Sequence, residues 1–166
     1  MARLLSDGSA DQSFGTGGSV QLPDATPHIA AVLQDDGRIV VATHAPTDGV
    51  IVQRLNPDGT IDTTFGNGGR LAIRVVGEYF GISDLVAMPD GRLVVAAGTN
   101  DGALFLRFGT DGTIDTTFGA DGMALSPRPW RPLAIVARQD SMLVGTFAMH
   151  EGPVAIGRIA ADGHGG

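Results

Sequence analysis

The sequence predicts an all-β protein: three four-stranded antiparallel propeller blades, forming a β-propeller or part of one. Three observations predict it. First, a long motif recurs. RLNPDGTIDTTFGNGG starts at Arg54 and RFGTDGTIDTTFGADG at Arg107. A looser copy, RLLSDGSADQSFGTGG, starts at Arg3, and a shortened one, RIAADGHGG, at Arg158. The steps of 51, 53 and 51 residues are those of a repeat architecture. Second, runs of four to eight Val-, Ile- and Leu-rich residues lie between the motifs, bounded by Gly, Pro and Asp, which is strand patterning. Third, each repeat holds four such runs, and a four-stranded meander of about fifty residues is a propeller blade.

The runs, lettered a to d, align across the repeats. Strand a follows the glycine-rich end of the motif: SVQL at 19–22, RLAIRVV at 70–76 and MALS at 123–126. Strand b is HIAAVLQ at 28–34, ISDLVAM at 82–88 and LAIVARQ at 133–139. The turns after it are Asp35-Asp36-Gly37, Pro89-Asp90-Gly91 and a degenerate Gln139-Asp140-Ser141. Gly supplies the positive φ that a tight hairpin needs. Strand c is RIVVAT at 38–43, RLVVAA at 92–97 and MLVGTF at 142–147, continuous apolar runs as expected of strands buried on both faces. Strand d is VIVQRL at 50–55, ALFLRF at 103–108 and VAIGRI at 154–159. The chain therefore reads as a single repeat domain, 1–166. Its blades cover approximately 17–59, 68–112 and 122–163, and 2–16 is the tail of a preceding strand with its connection.

Composition excludes several functions. The net charge of −7 disfavours nucleic acid and anionic membrane surfaces as partners. No apolar run approaches the length that spans a membrane, and the N-terminus shows no signal-peptide apolar region. Without Cys there is no disulfide, thiol nucleophile or Cys-based zinc site. All eleven basic residues are Arg, so Schiff-base lysine chemistry is absent too.

The motif PDGTIDTTFGNGG with the later PDGRLVVAAG resembles the delta-60 repeat family. Matching positions are Arg54, Leu55, Pro57, Asp58, Gly59, Asp62, Phe65 and Gly66, then Arg107, Asp111, Gly112, Asp115, Phe118 and Gly119, with Pro89, Asp90 and Gly91 in the hairpin. The third repeat departs from the pattern at Gln139-Asp140-Ser141 and at DGHGG. The resemblance implies a bacterial β-propeller, often in surface or exported proteins, and brings no shared catalytic residues.

Asp58, Gly59, Asp62 and Phe65, with Asp111, Gly112, Asp115 and Phe118, read as a structural turn motif. The Asp side chains cap turns, and the Phe rings plug the space between blades. The rival reading is a calcium loop, since Asn56, Asp58, Thr60 and Asp62 present oxygens at alternate positions. Against it, Asn56 becomes Gly109 in one copy and Leu5 in another, and no Glu occupies the twelfth position. No cofactor is expected, with calcium the minor alternative. The recurring Arg3, Arg54, Arg107 and Arg158 read as structural partners of a nearby Asp on a strand outermost in its blade. His28, His44, His150 and His164 fall at unrelated repeat positions and form no ligand set.

The a–b connections differ between repeats, so chemistry particular to this chain belongs on their rim. Tyr79 and Phe80 lie in GEYFG, and Trp130 between Arg128 and Arg131 in PRPWRP. His44, Asp48, Asp101, His150 and Glu151 share that rim. An aromatic flanked by Arg is a common binding anchor, here for a glycan or peptide. The expected function is a non-catalytic module for binding or structural assembly. A metal-dependent hydrolase or lyase with a channel site is the alternative. Three blades do not close a ring, so a homo-oligomer is expected, a six-bladed dimer favoured.

Overall fold

The computed structural model describes residues 1–22, 29–45, 49–75, 79–100, 102–127, 130–138, 141–148, 154–160 and 162–163. The strands are β1 (Ile29–Leu33), β2 (Ile39–Ala45), β3 (Gly49–Leu55), β4 (Arg70–Ile73), β5 (Tyr79–Ala87), β6 (Leu93–Thr99), β7 (Gly102–Phe108), β8 (Met123–Pro127), β9 (Trp130–Ala137), β10 (Ser141–Ala148) and β11 (Val154–Ala160). They form three antiparallel sheets, ordered β1-β2-β3-β4, β5-β6-β7-β8 and β9-β10-β11. Among the described residues no helix is long and apolar enough to cross a membrane.

The sheets are offset by one strand from the sequence repeats. β4, the first strand of the second sequence unit, pairs with β3 through Gln53↔Arg70 to Val50↔Ile73, and β8 pairs with β7 in the same way. The hydrogen-bonded units therefore run 29–73, 79–127 and 130–160, against sequence units of 17–59, 68–112 and 122–163. Strand a of the first unit has no first-sheet partner. Ser19 pairs instead with Ala2, so the N-terminal residues form a short antiparallel pairing of their own. The strand carrying Arg54 and Arg107 is third of four in its sheet, not outermost.

β5 lies against β1 on one side and β9 on the other across the sheets, which makes these the inner strands. Every residue of β6 and β7 is buried, because a neighbouring sheet covers each face. That is why these strands read as continuous apolar runs. One core cluster joins the first two sheets, with Val40, Val52 and Phe65 meeting Leu85, Leu93 and Leu106. A second joins the last two, with Val94, Phe105 and Phe118 meeting Ile135, Met142 and Val144. Leu143 pairs with Arg158 as Val94 pairs with Arg107, so Ser141 rather than Met142 stands where Arg38 and Arg92 stand in the other sheets.

Candidate functional site

The recurrent motif builds one clasp three times. It begins with a turn in which Asp58 Oδ1 accepts from the Thr60 backbone N–H at 2.9 Å and the Thr60 hydroxyl at 2.7 Å. Asp111 with Thr113 and Asp7 with Ser9 repeat it. Four residues on, Asp62 Oδ1 accepts from the Thr64 N–H and hydroxyl at 3.0 and 2.6 Å. Its Oδ2 accepts from Arg54 Nε at 2.7 Å and lies 3.1 Å from Arg38 Nε. Asp115 does the same with Thr117, with Arg107 Nε at 2.8 Å and with Arg92 Nη1 at 2.9 Å. Asp11 holds Ser13 and, at 2.8 Å, Arg3. Each guanidinium also lies over the motif's Phe ring: Arg3 on Phe14, Arg54 on Phe65, Arg107 on Phe118, at 4.6 to 4.7 Å.

Each clasp then reaches the next sheet. Gly15 N–H donates to Asp58 O, Gly66 N–H to Asp111 O and Gly119 N–H to Asp162 O. Arg54 Nη1 donates to Thr110 O at 2.6 Å, and Arg3 Nη1 to Pro57 O. The Phe ring fits because a glycine faces it. A Cβ at Gly112 would sit 2.9 Å from the Phe65 ring and 2.8 Å from Gly66 N, and its φ of +83° is one that side chains avoid.

Electrostatics follow this geometry. The Thr64 hydroxyl is the chief group lowering the Asp62 carboxyl below its ordinary pKa, with Arg54 adding to it against the opposing effect of burial. Burial pushes the Asp115 carboxyl up, but the Thr117 hydroxyl, Arg92, the Thr117 N–H and the charge of Arg107 together outweigh it and hold the group well below the usual carboxylate range. These carboxylates stay ionised and engaged by Arg and hydroxyl donors. Asn56 Nδ2 donates to Thr60 Oγ1 within the same turn, so the alternate side chains of the calcium reading bond one another. Among the described residues no group of three His, Asp or Glu could hold a metal ion.

The structure separates the other candidate residues. Tyr79 and Phe80 open β5, and Trp130 and Arg131 open β9, so they are strand residues rather than connection residues. β5 and β9 are adjacent inner strands, so their first residues share one rim. His44 lies at the end of β2 on that rim. Arg128, Asp48, Asp101, His28, His150, Glu151 and His164 lie outside the described residues. On the opposite rim, a groove of about 740 Å³ runs between the first two sheets, lined among others by Gln34, Asp36, Arg38, Thr64, Pro89 and Asp111.

Sequence reading missed two connections. One is the second guanidinium on Asp62 and on Asp115, from Arg38 and Arg92. The signal was present: an Arg follows the turn glycine in the two units that carry IDTTFG, and Ser141 replaces it in the third. The other is Asp84, the single carboxylate on the described inner strands. Its Oδ1 accepts from Leu85 N–H and its Oδ2 from Ile135 N–H, both at 2.8 Å, joining β5 to β9. Asp84→Ala is expected to cost about 1–3 kcal/mol by removing the acceptor of two backbone donors. Urea denaturation would show this as a lower midpoint with an unchanged slope.

Comparison with known proteins agrees with this architecture. A family model described as "Domain of unknown function (DUF5122) beta-propeller" matches residues 34–65 and 89–118. These segments run from the first inner turn to Phe65, and from Pro89 to Phe118, so both matches cover strands β2–β3 or β6–β7 and the clasp that follows. No curated protein matches the chain. Among solved structures, the chain is similar to a novel alpha-L-arabinofuranosidase (CtGH43) from Clostridium thermocellum ATCC 27405, at 13% identity and a TM-score of 0.51. The match covers 86% of this chain and 50% of that one, so the chain spans half the length of the enzyme.

Proposed function

We propose that the chain is a non-catalytic propeller-repeat module, a scaffold that presents a binding rim for a glycan or peptide. One observation carries this reading. Arg3, Arg54 and Arg107 and their carboxylates are committed to clasps that reach the next sheet, and four residues that differ between units lie at the other end of the sheets. There the openings of β5 and β9 bring Tyr79-Phe80 and Trp130-Arg131 to neighbouring strands. Aromatic and Arg side chains are those that dominate binding energy at such surfaces.

Glycoside hydrolysis is the weaker reading. It requires two carboxylates flanking one bond. The inner strands supply Asp84, which is engaged by two backbone N–H groups. The likeness to an arabinofuranosidase is one of fold, and fold does not carry activity. A cell-surface setting, as the sequence resemblance implies, suits the binding reading.

The test is a glycan and peptide array probed with the parent chain and with Trp130→Ala. The expected result is binding by the parent that weakens at least about tenfold in the variant, with its thermal midpoint unchanged. Equal binding by both would place the contact elsewhere, and no binding by the parent would remove the glycan or peptide reading.

A further inference from the structure

We propose that two copies of this chain close into one ring by strand replacement: β11 of each copy displaces residues Met1–Leu5 of the other. This deepens the scaffold reading above and rests on its propeller architecture.

The third sheet carries an unfinished interface. Its outer face holds Val136 and Ile156. By strand pairing, Ile156 occupies the place of Val52 and Phe105, which are 0% and 1% exposed inside the two core clusters, yet Ile156 is 78% exposed. Val136 occupies the place of Val32 and Val86, both packed into those clusters, and is itself exposed. Arg158 is exposed where Arg54 and Arg107 are buried. Among the described residues β11 has no strand on its far side, whereas β3 and β7 pair there with β4 and β8.

The first sheet carries the complementary half. On its opposite face Ala31 and Leu33 are exposed, at the places where the second sheet buries Leu85 and packs Ala87 into the first cluster. Residues 11–22 already lie on the outer part of this face. Phe14 is buried against it, and Gly15 N–H bonds Asp58 O. What they lack is a full sheet in front of them. Met1–Leu5 offers Ser19 a single bridge at Ala2, with the backbone bonds Val20 N–H to Met1 O and Arg3 N–H to Gly18 O beside it.

β11 fits the place that Met1–Leu5 holds. Arg158-Ile159-Ala160-Ala161-Asp162-Gly163 has the pattern of Arg3-Leu4-Leu5-Ser6-Asp7-Gly8, with Arg, Asp and Gly at identical spacing. Shifting the β3–β4 register gives Gly157 opposite Ser19, Ile156 opposite Val20, Ala155 opposite Gln21 and Val154 opposite Leu22. That is the four-residue ladder seen from Gln53↔Arg70 to Val50↔Ile73. Asp11 and Phe14 would then receive Arg158 of the partner in place of Arg3. Nothing formed by residues 11–22 on their own sheet is lost. Val136 and Ile156 of one copy meet Ala31 and Leu33 of the other. Two such contacts related by a two-fold axis close the pair without leaving an end.

Two experiments test this. The first compares the mass by light scattering of the 166-residue chain and of a variant lacking residues 1–8. Removing the internal competitor should tighten the pair at least about tenfold, because the binding-competent population no longer depends on displacement. The variant should therefore run at twice the mass of its own chain at concentrations where the parent, 17.0 kDa per chain, is still dissociating. The second keeps the full chain, in case the shortened one folds poorly. It carries Ser19→Cys with Gly157→Cys, in a protein that has no other cysteine. Oxidation should yield a covalent pair of chains, and adding Ile156→Asp should abolish it without lowering the monomer's thermal midpoint. A shortened chain that folds yet stays monomeric or forms species larger than a pair overturns the proposal, as does a failure of the Cys pair to cross-link. The array experiment with Trp130→Ala reads ligand binding at the opening of β9, two strands from β11, so its outcome is independent of these.

Discussion

Asp115→Asn is expected to lower the thermal midpoint by roughly 6–20 °C. The variant leaves Arg107, 2% exposed, without the carboxylate that meets its Nε at 2.8 Å. Removing one member of a buried ion pair costs about 3–5 kcal/mol, most of it from the charge left behind. In a chain of this length each kcal/mol moves the midpoint by about 2–4 °C. The same substitution removes a partner of Arg92. The acid limb of the stability curve gives an independent check. The folded Asp115 and Asp62 carboxyls lie below their unfolded values, so in acid the unfolded chain binds more protons. Their contribution is complete above the ordinary carboxylate range, near pH 4, and is lost as pH falls from there toward the folded values. The parent should therefore weaken steeply below about pH 4, and Asp115→Asn should flatten that slope. A variant with the parent's midpoint and acid slope would show that the pair does not hold the second sheet to its clasp.

Phe65→Ala is expected to cost about 3–5 kcal/mol, the range for emptying a buried aromatic site. The ring is fully buried, lies in the cluster joining the first and second sheets, and sits beneath Arg54 at 4.7 Å. It also faces Gly112, so the loss falls on the seam between sheets rather than inside either one. Gly112→Ala attacks the same seam from the other side. There a Cβ meets the ring and a backbone nitrogen under 3 Å away, at a φ that already disfavours it. Chemical denaturation of both variants should show early loss of protection in β1–β4 by hydrogen exchange, with β6 and β7 retaining theirs longer. Uniform loss across all strands would mean that the seams do not separate independently.

The strands and the clasp residues were legible in the sequence for a physical reason: both depend on short-range chemistry that repeats. A strand buried on both faces, such as β6, must be apolar throughout, and an Asp two residues before a Thr declares its turn. The one-strand offset was not legible. A repeating pattern has a period but no phase, so a four-stranded unit can be cut at any turn and look the same. Pairings such as Gln53↔Arg70 and Leu106↔Met123 fix the phase, and each spans the whole clasp. The role of Arg38 and Arg92 was hidden likewise, since their partners Asp62 and Asp115 lie more than twenty residues away and come near only once the sheet forms. The aromatic rim patterns as connection because GEYFG and PRPWRP fall where the repeats differ from one another. β9 nevertheless begins at Trp130 and runs through Pro132, where a register shift at Gly145/Thr146 accommodates the strand.

The offset has a further consequence for how such a chain changes length. Each sheet borrows its last strand from the sequence unit that follows, so no unit boundary coincides with a sheet boundary. Excising one period, residues 54–106, would splice Gln53 onto Arg107, which takes the place that Arg54 holds in its sheet. The join would fall inside a strand whose two halves were both made for that position, and the clasp beyond it would arrive intact. Duplication would behave in the same way. Gene-level gain or loss of a unit therefore leaves every hydrogen-bonded edge with a compatible neighbour, and the number of sheets becomes a quantity that evolution can adjust without redesigning any one of them.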